Sequence, residues 1–143
     1  MRRNFFTHKN LGGEFAPLIN DIRLGTPTAV FGVSDSMKYL TASLVDEPVL
    51  YVAPNAVAAA KAYSAICVLS GKKCAYLSAK DDVLLYKSAL SKDAVFRRIE
   101  GIYAILSGAE VIVCDVEAAM QLVPEKLPCI TLEVGRDYDY VVQ

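Results

Sequence analysis

The sequence predicts an α/β fold, a parallel sheet with helices on both faces. Two observations carry this. Four apolar runs, Thr28–Val33, Pro48–Ala53, Lys73–Ser78 and Ala109–Asp115, are near-continuous in Val, Ile, Leu, Ala, Phe and Tyr. Strands buried on both faces have that composition. Helical segments separate the runs, and strands alternating with helices imply βαβ units with right-handed crossovers.

In chain order, an N-terminal helix is expected near Glu14–Ile22, before the first strand. A short helix fits Ser36–Leu44 after it. Residues 55–70 begin at Asn55, a good N-cap, and stop at Gly71, a good C-cap. Ala59, Ala60, Tyr63, Ile66 and Cys67 form its expected apolar stripe. The polar stretch Lys80–Lys92 has no clear period and reads as a loop with at most one short turn. Residues 93–107 start at Asp93 and stop at Gly108, with Val95, Ile99, Ile102 and Leu106 on one face. Val116–Leu122 fits another short helix, with Asp115 as its cap. A fifth run, Cys129–Val134, alternates as a strand with one face in water does. Asp137–Gln143 ends on Tyr138, Tyr140, Val141 and Val142 with no stop signal, so the chain reads as cut there. An unpaired edge at such a cut predicts self-association, through Cys129–Val142.

The 143 residues suit one domain, and 54% of them are apolar. Net charge is −1, so no global field draws in nucleic acid or an anionic membrane. No apolar stretch approaches the roughly 20 residues of a membrane-spanning helix. Met1–Phe6 begins like a signal peptide, but Thr7-His8-Lys9-Asn10 ends the apolar region. The four cysteines, Cys67, Cys74, Cys114 and Cys129, are widely spaced and lie in apolar segments. They read as buried thiols of a cytoplasmic protein rather than zinc ligands or disulfides. His8 is the sole histidine, so no Ser/His/Asp or Cys/His set suggests a nucleophile.

Ligands of doubly wound folds sit at the carboxyl ends of strands. The turn after the first run reads Gly32-Val33-Ser34-Asp35-Ser36-Met37-Lys38-Tyr39. A working phosphate-binding loop reads G-x-x-x-x-G-K-[ST]. Gly32 and Lys38 fall in place. Met37 stands where a glycine lets backbone N–H groups approach phosphate, and Tyr39 where a hydroxyl should meet Mg²⁺. Asp35 adds a carboxylate that would repel a polyphosphate by roughly 4 kcal/mol at 4 Å and an effective dielectric near 20. Two readings stand: a degenerate nucleotide loop with relic residues Gly32, Ser34, Ser36 and Lys38, or a plain turn whose helix Ser34, Asp35 or Ser36 caps. Val111–Cys114 followed by Asp115 has the outline of a Walker B Mg²⁺ strand, with no second acid directly after it; Asp115 reads better as a cap, and no metal site is assigned. Arg97 and Arg98, with Lys92, offer positive charge for DNA or a partner, or are a solvated helix face.

Several segments together resemble the N-terminal region of bacterial transcription-repair coupling factor, itself similar to the excision-repair helicase subunit UvrB. Phe31–Lys38 looks like the UvrB ATP loop in degraded form. Pro48–Asn55 with Ala59 and Tyr63 resembles the second strand and helix of both families. Arg98-Ile99, Ile102-Tyr103 and Leu106 resemble their R-L-x-x-L-Y-x-L helix. Val111–Cys114 with Ala119-Met120-Gln121, and Ile130–Gly135, resemble the strands that follow.

The resemblance implies a RecA-like, P-loop-like domain over 28–127, an N-terminal arm over 1–27, and over 128–143 the start of an inserted second domain. It implies no catalysis and no ATP binding here, the acidic Walker B motif lying beyond residue 143. The intact protein would be an ATP-driven DNA translocase that displaces stalled RNA polymerase and recruits the damage-recognition ATPase UvrA through the inserted domain. DNA and RNA polymerase would be met by other parts of that protein. The damage-inspecting aromatic hairpin of UvrB shrinks here to about Ser78–Lys92, with Tyr86 its only aromatic beyond Tyr76, so damage verification is not expected. The alternative is a live ATPase domain with a divergent loop.

Overall fold

A computed structural model describes residues 16–80, 92–128 and 134–135. The elements are α1 (Ala16–Arg23), α2 (Asp35–Leu44), β1 (Val49–Ala53), α3 (Ala56–Ser70), β2 (Cys74–Leu77), α4 (Lys92–Leu106), β3 (Val111–Asp115) and α5 (Val116–Ala119). The three strands form a parallel sheet in the order β1-β3-β2. Val49 pairs with Val111, and Cys74 pairs with the same residue from the other side.

Local chemistry sets the boundaries. Asn55 Oδ1 accepts from Ala58 N at 2.9 Å and opens α3; Gly71, at φ 63°, ends it in the left-handed region that a side chain resists. Asp115 opens α5 the same way, its Oδ1 accepting from Ala118 N at 2.7 Å.

Alternation along the strands splits the core in two. One face carries Val49, Tyr51, Ala53, Val111 and Val113 against Ala59, Ala62 and Ile66 of α3 and Tyr39 and Ala42 of α2. The opposite face carries Leu77 and Cys114 against Ile102 of α4 and Ala118 of α5. The connections β1–β2 and β2–β3 run in opposite directions along the sheet, and their helices lie on opposite faces. A single hand of crossover requires this.

Four expectations need correction. Thr28–Val33 is not a strand: it is irregular and largely exposed, with Phe31 89% accessible. Its apolar composition lacks a ladder partner among the described residues, and propensity without pairing does not make a strand. The stripe of α3 is rotated, burying Ala59, Ala62, Ile66 and Ser70 and leaving Ala60 outside. In α4 the seam is Arg98, Gly101, Ile102 and Ile105, while Val95, Ile99 and Leu106 stay exposed. Gly101 causes the rotation by letting the helix sit directly on the backbone of Tyr76 and Leu77. Finally, among the described residues one face of β1 is left largely open, with Leu50 and Val52 exposed.

Lys80 remains irregular as expected, and residues 81–91 of that loop lie outside the described residues. So do residues 129–133 of the fifth run; Val134 and Gly135 form a turn. No described helix is long and apolar enough to cross a membrane.

Candidate functional site

The loop Gly32–Tyr39 forms the approach to α2 and its first turn. Gly32 has φ 72° and is exposed, and a Cβ there would meet nothing within 4 Å. The glycine therefore serves chain direction rather than close approach. Ser34 is the N-cap residue by position, with extended backbone, but its hydroxyl makes no capping bond. Its carbonyl oxygen instead accepts from Met37 N and Lys38 N, both at 3.1 Å. Ser36 is exposed.

Asp35 is the electrostatic centre of this turn. Its carboxylate meets Lys38 Nζ at 3.3 Å and Lys61 Nζ of α3 at 3.5 Å. The Lys38 hydrogen bond and charge, then the Lys61 charge, hold the carboxyl below its usual range. The repulsion expected from Asp35 is thereby offset by two neighbouring cations, and Lys38 has a partner inside the protein.

The two residues that break the nucleotide pattern have packing roles. Met37 lies partly buried against Ile19, Leu40, Leu44 and Val45 instead of filling the loop. Tyr39 is 7% exposed and meets the Tyr51 ring edge-on, with centroids 6.1 Å apart. Such a pair contributes roughly 0.5–1.5 kcal/mol beyond area burial. Two positions that a nucleotide site would need small or hydroxylic are thus occupied by core side chains.

Beside the turn runs a groove of about 480 Å³, lined chiefly by Val30, Val33, Thr41, Val45, Val49 and Tyr51. A second hollow, about 430 Å³, opens at the carboxyl ends of β2 and β3 between Tyr76, Ser78, Arg97, Asp115 and Glu117. Here the structure separates the two arginines. Arg97 is exposed and faces this hollow. Arg98 is a clamp: its guanidinium donates to the Ser78 carbonyl at 2.5 Å and the Leu122 carbonyl at 3.3 Å. It ties α4 to the exits of β2 and α5. Sequence reasoning missed this, since a charged residue holding two carbonyls has no local signature.

Asp115 is 5% exposed and caps α5. Burial first, then the Asp115 charge, push the Tyr76 phenol up, while Arg97 pulls it down. Ser78 Oγ is buried without a hydrogen-bond partner among the described residues. Among them, too, no three His, Cys, Asp or Glu side chains cluster as metal ligands. Cys67 and Cys74 are half-buried free thiols and Cys114 is buried; Cys129 lies outside the described residues.

Comparison with known proteins adds no relative: no family model, no curated protein and no solved structure matches this chain.

Proposed function

We propose that this chain is a non-catalytic scaffold domain, of the kind found at the N-terminus of transcription-repair coupling factor. The reading includes a RecA-like ancestry for the α/β body and relic status for Gly32, Ser34, Ser36 and Lys38. The observation that carries it is the state of the loop. Lys38 is paired with Asp35, and Tyr39 is built into the core beside Tyr51. A nucleotide would have to take Lys38 from its carboxylate and would find after it no Ser or Thr hydroxyl for Mg²⁺, only the phenol of core-packed Tyr39. Five ordered segment resemblances, from Phe31 to Gly135, supply the family part of the reading.

In the parent protein this domain would carry and orient the adjacent UvrA-binding domain. Other parts of the parent would engage DNA and RNA polymerase and hydrolyse ATP. Isothermal titration with Mg-ATP tests the non-catalytic part: no binding is expected, and micromolar affinity would sink it. The family part is tested by joining the chain to the inserted domain of a coupling factor and asking for UvrA capture. Loss of capture with a folded fusion would remove that part.

A further inference from the structure

We infer that the hollow at the carboxyl ends of β2 and β3 binds a small zwitterion, a free α-amino acid with a basic side chain. The inference is independent of the reading of the Gly32–Tyr39 loop. It starts from topology. β1 and β3 are neighbours in the sheet, yet the helices that follow them part. α3 packs on the face of Val49 and Tyr51, and α5 on the face of Leu77 and Cys114. Where successive helices leave to opposite faces, a crevice opens outside the carboxyl ends of the strands, and ligands of α/β sheets bind there. The hollow of about 430 Å³ takes its lining from both sides of this parting: Ala56 opens α3, and Asp115 and Glu117 stand at the start of α5. A volume of that order suits a small molecule.

The lining carries both signs of charge. Arg97 supplies one cation, and Asp115 and Glu117 supply two anions. Among the described residues no ion pair joins Arg97 to either carboxylate. Both signs are nonetheless felt at one phenol: burial first, then the Asp115 charge, raise Tyr76, and Arg97 lowers it. Opposite charges that line one cavity without meeting leave room for a ligand that bridges them. A guanidinium takes a carboxylate in paired N–H···O bonds. Asp115 gives one oxygen to Ala118 N at 2.7 Å, and a carboxylate has a second oxygen to accept from an ammonium. One cation against two anions leaves one negative charge over, which a basic side chain on the ligand neutralises.

A second observation is independent of charge. Ser78 Oγ lies in the same lining, buried, with no hydrogen-bond partner among the described residues. Buried hydroxyls in folded proteins are almost always paired, and an amino acid offers both donors and acceptors to this one.

Calorimetric titration and amide-shift mapping with L-lysine on the full chain test this. L-lysine should bind saturably and shift the amides of Ser78 and Glu117. n-Butylamine lacks the carboxylate and acetate lacks the amine, so each should bind at least about tenfold more weakly. Arg97→Gln should weaken L-lysine by about tenfold without weakening n-butylamine, and Arg97→Lys should recover part of the loss. Glu117→Gln should weaken both ligands. Arg97 and Glu117 are exposed, so neither change reaches the core, and unaltered circular dichroism checks this. No saturable binding below about 10 mM would overturn the inference. So would L-lysine binding no tighter than n-butylamine, or an affinity indifferent to Arg97→Gln and Glu117→Gln.

Discussion

Gly101→Ala should weaken the fold, although alanine is the better helix former. Gly101 lies inside α4 with its Cα against β2. A Cβ there would overlap the Tyr76 carbonyl oxygen and stand 3.1 Å from the Tyr76 carbonyl carbon and 3.4 Å from Leu77 Cα. These are backbone atoms, so no side chain can swing aside. α4 must back away by roughly 1 Å, and a gap of that size forfeits up to about half the dispersion energy of each contact across it. The contacts at stake join Ile102 to Leu77, Cys114 and Ala118, and the same movement stretches both bonds from Arg98. Over-packing costs about 1–3 kcal/mol, and the upper end applies where backbone is struck. The gain in helix propensity returns about 1 kcal/mol. The net loss is about 2 kcal/mol, or a melting point lower by about 4–8 °C. With a urea dependence near 2 kcal/mol/M, the unfolding midpoint falls by about 1 M. Circular dichroism during urea titration reads this directly. Exposed Glu100→Ala serves as the control and should shift stability by less than about 0.5 kcal/mol. A Gly101→Ala midpoint at or above that of the unaltered chain would refute the close approach.

Three further expectations concern single side chains. Arg98→Ala should cost about 2 kcal/mol in urea unfolding through its two carbonyl bonds, whereas Arg97→Ala should stay within about 0.5 kcal/mol; equal effects would remove the clamp. Asp115→Ala should destabilise by about 1–2 kcal/mol and Asp115→Asn by less, with no response to Mg²⁺; a stabilising effect of Mg²⁺ that depends on Asp115 would contradict the capping role. Burial first, then Cys74, push the Cys67 thiol from 9.0 up to about 11. The unfolded chain then releases this proton before the folded chain does. The stability contribution is full below about pH 9 and is lost as pH rises toward about 11. Alkylation followed by mass spectrometry should find Cys67 slower at pH 8.5 than the same thiol in urea; equal rates would negate the shift.

Much of the fold was legible because its punctuation is local. Asn55, Gly71, Asp115 and Gly108 mark element ends through their own side chains or backbone freedom, and the structure uses the first three as caps. Facing was less legible. The apolar pattern of α4 points to Val95, Ile99 and Leu106, but the seam follows Gly101, whose value lies in what it lacks. A glycine inside a helical pattern was the available signal. The strand expected at 28–33 shows the complementary limit, since a run of strand formers cannot name its partner. At the loop, the departures from a nucleotide pattern were visible at Met37 and Tyr39, but their destinations were not. Only tertiary structure shows them serving the core, and only it places Lys61 beside Asp35.

The position of β3 in the sheet has a consequence for how the chain is made. Of the three described strands, the last to be synthesised is the central one, and among the described residues β1 and β2 are joined through it. A ribosome that has released β1, α3 and β2 has released two strands with no ladder to join. The two apolar segments must wait, solvent-exposed or sheltered by a chaperone, until Val111–Asp115 emerges. Assembly of the described ladder is therefore one late event rather than a gradual accretion, and a nascent chain halted before residue 111 should show helices but no ladder between Val49–Ala53 and Cys74–Leu77.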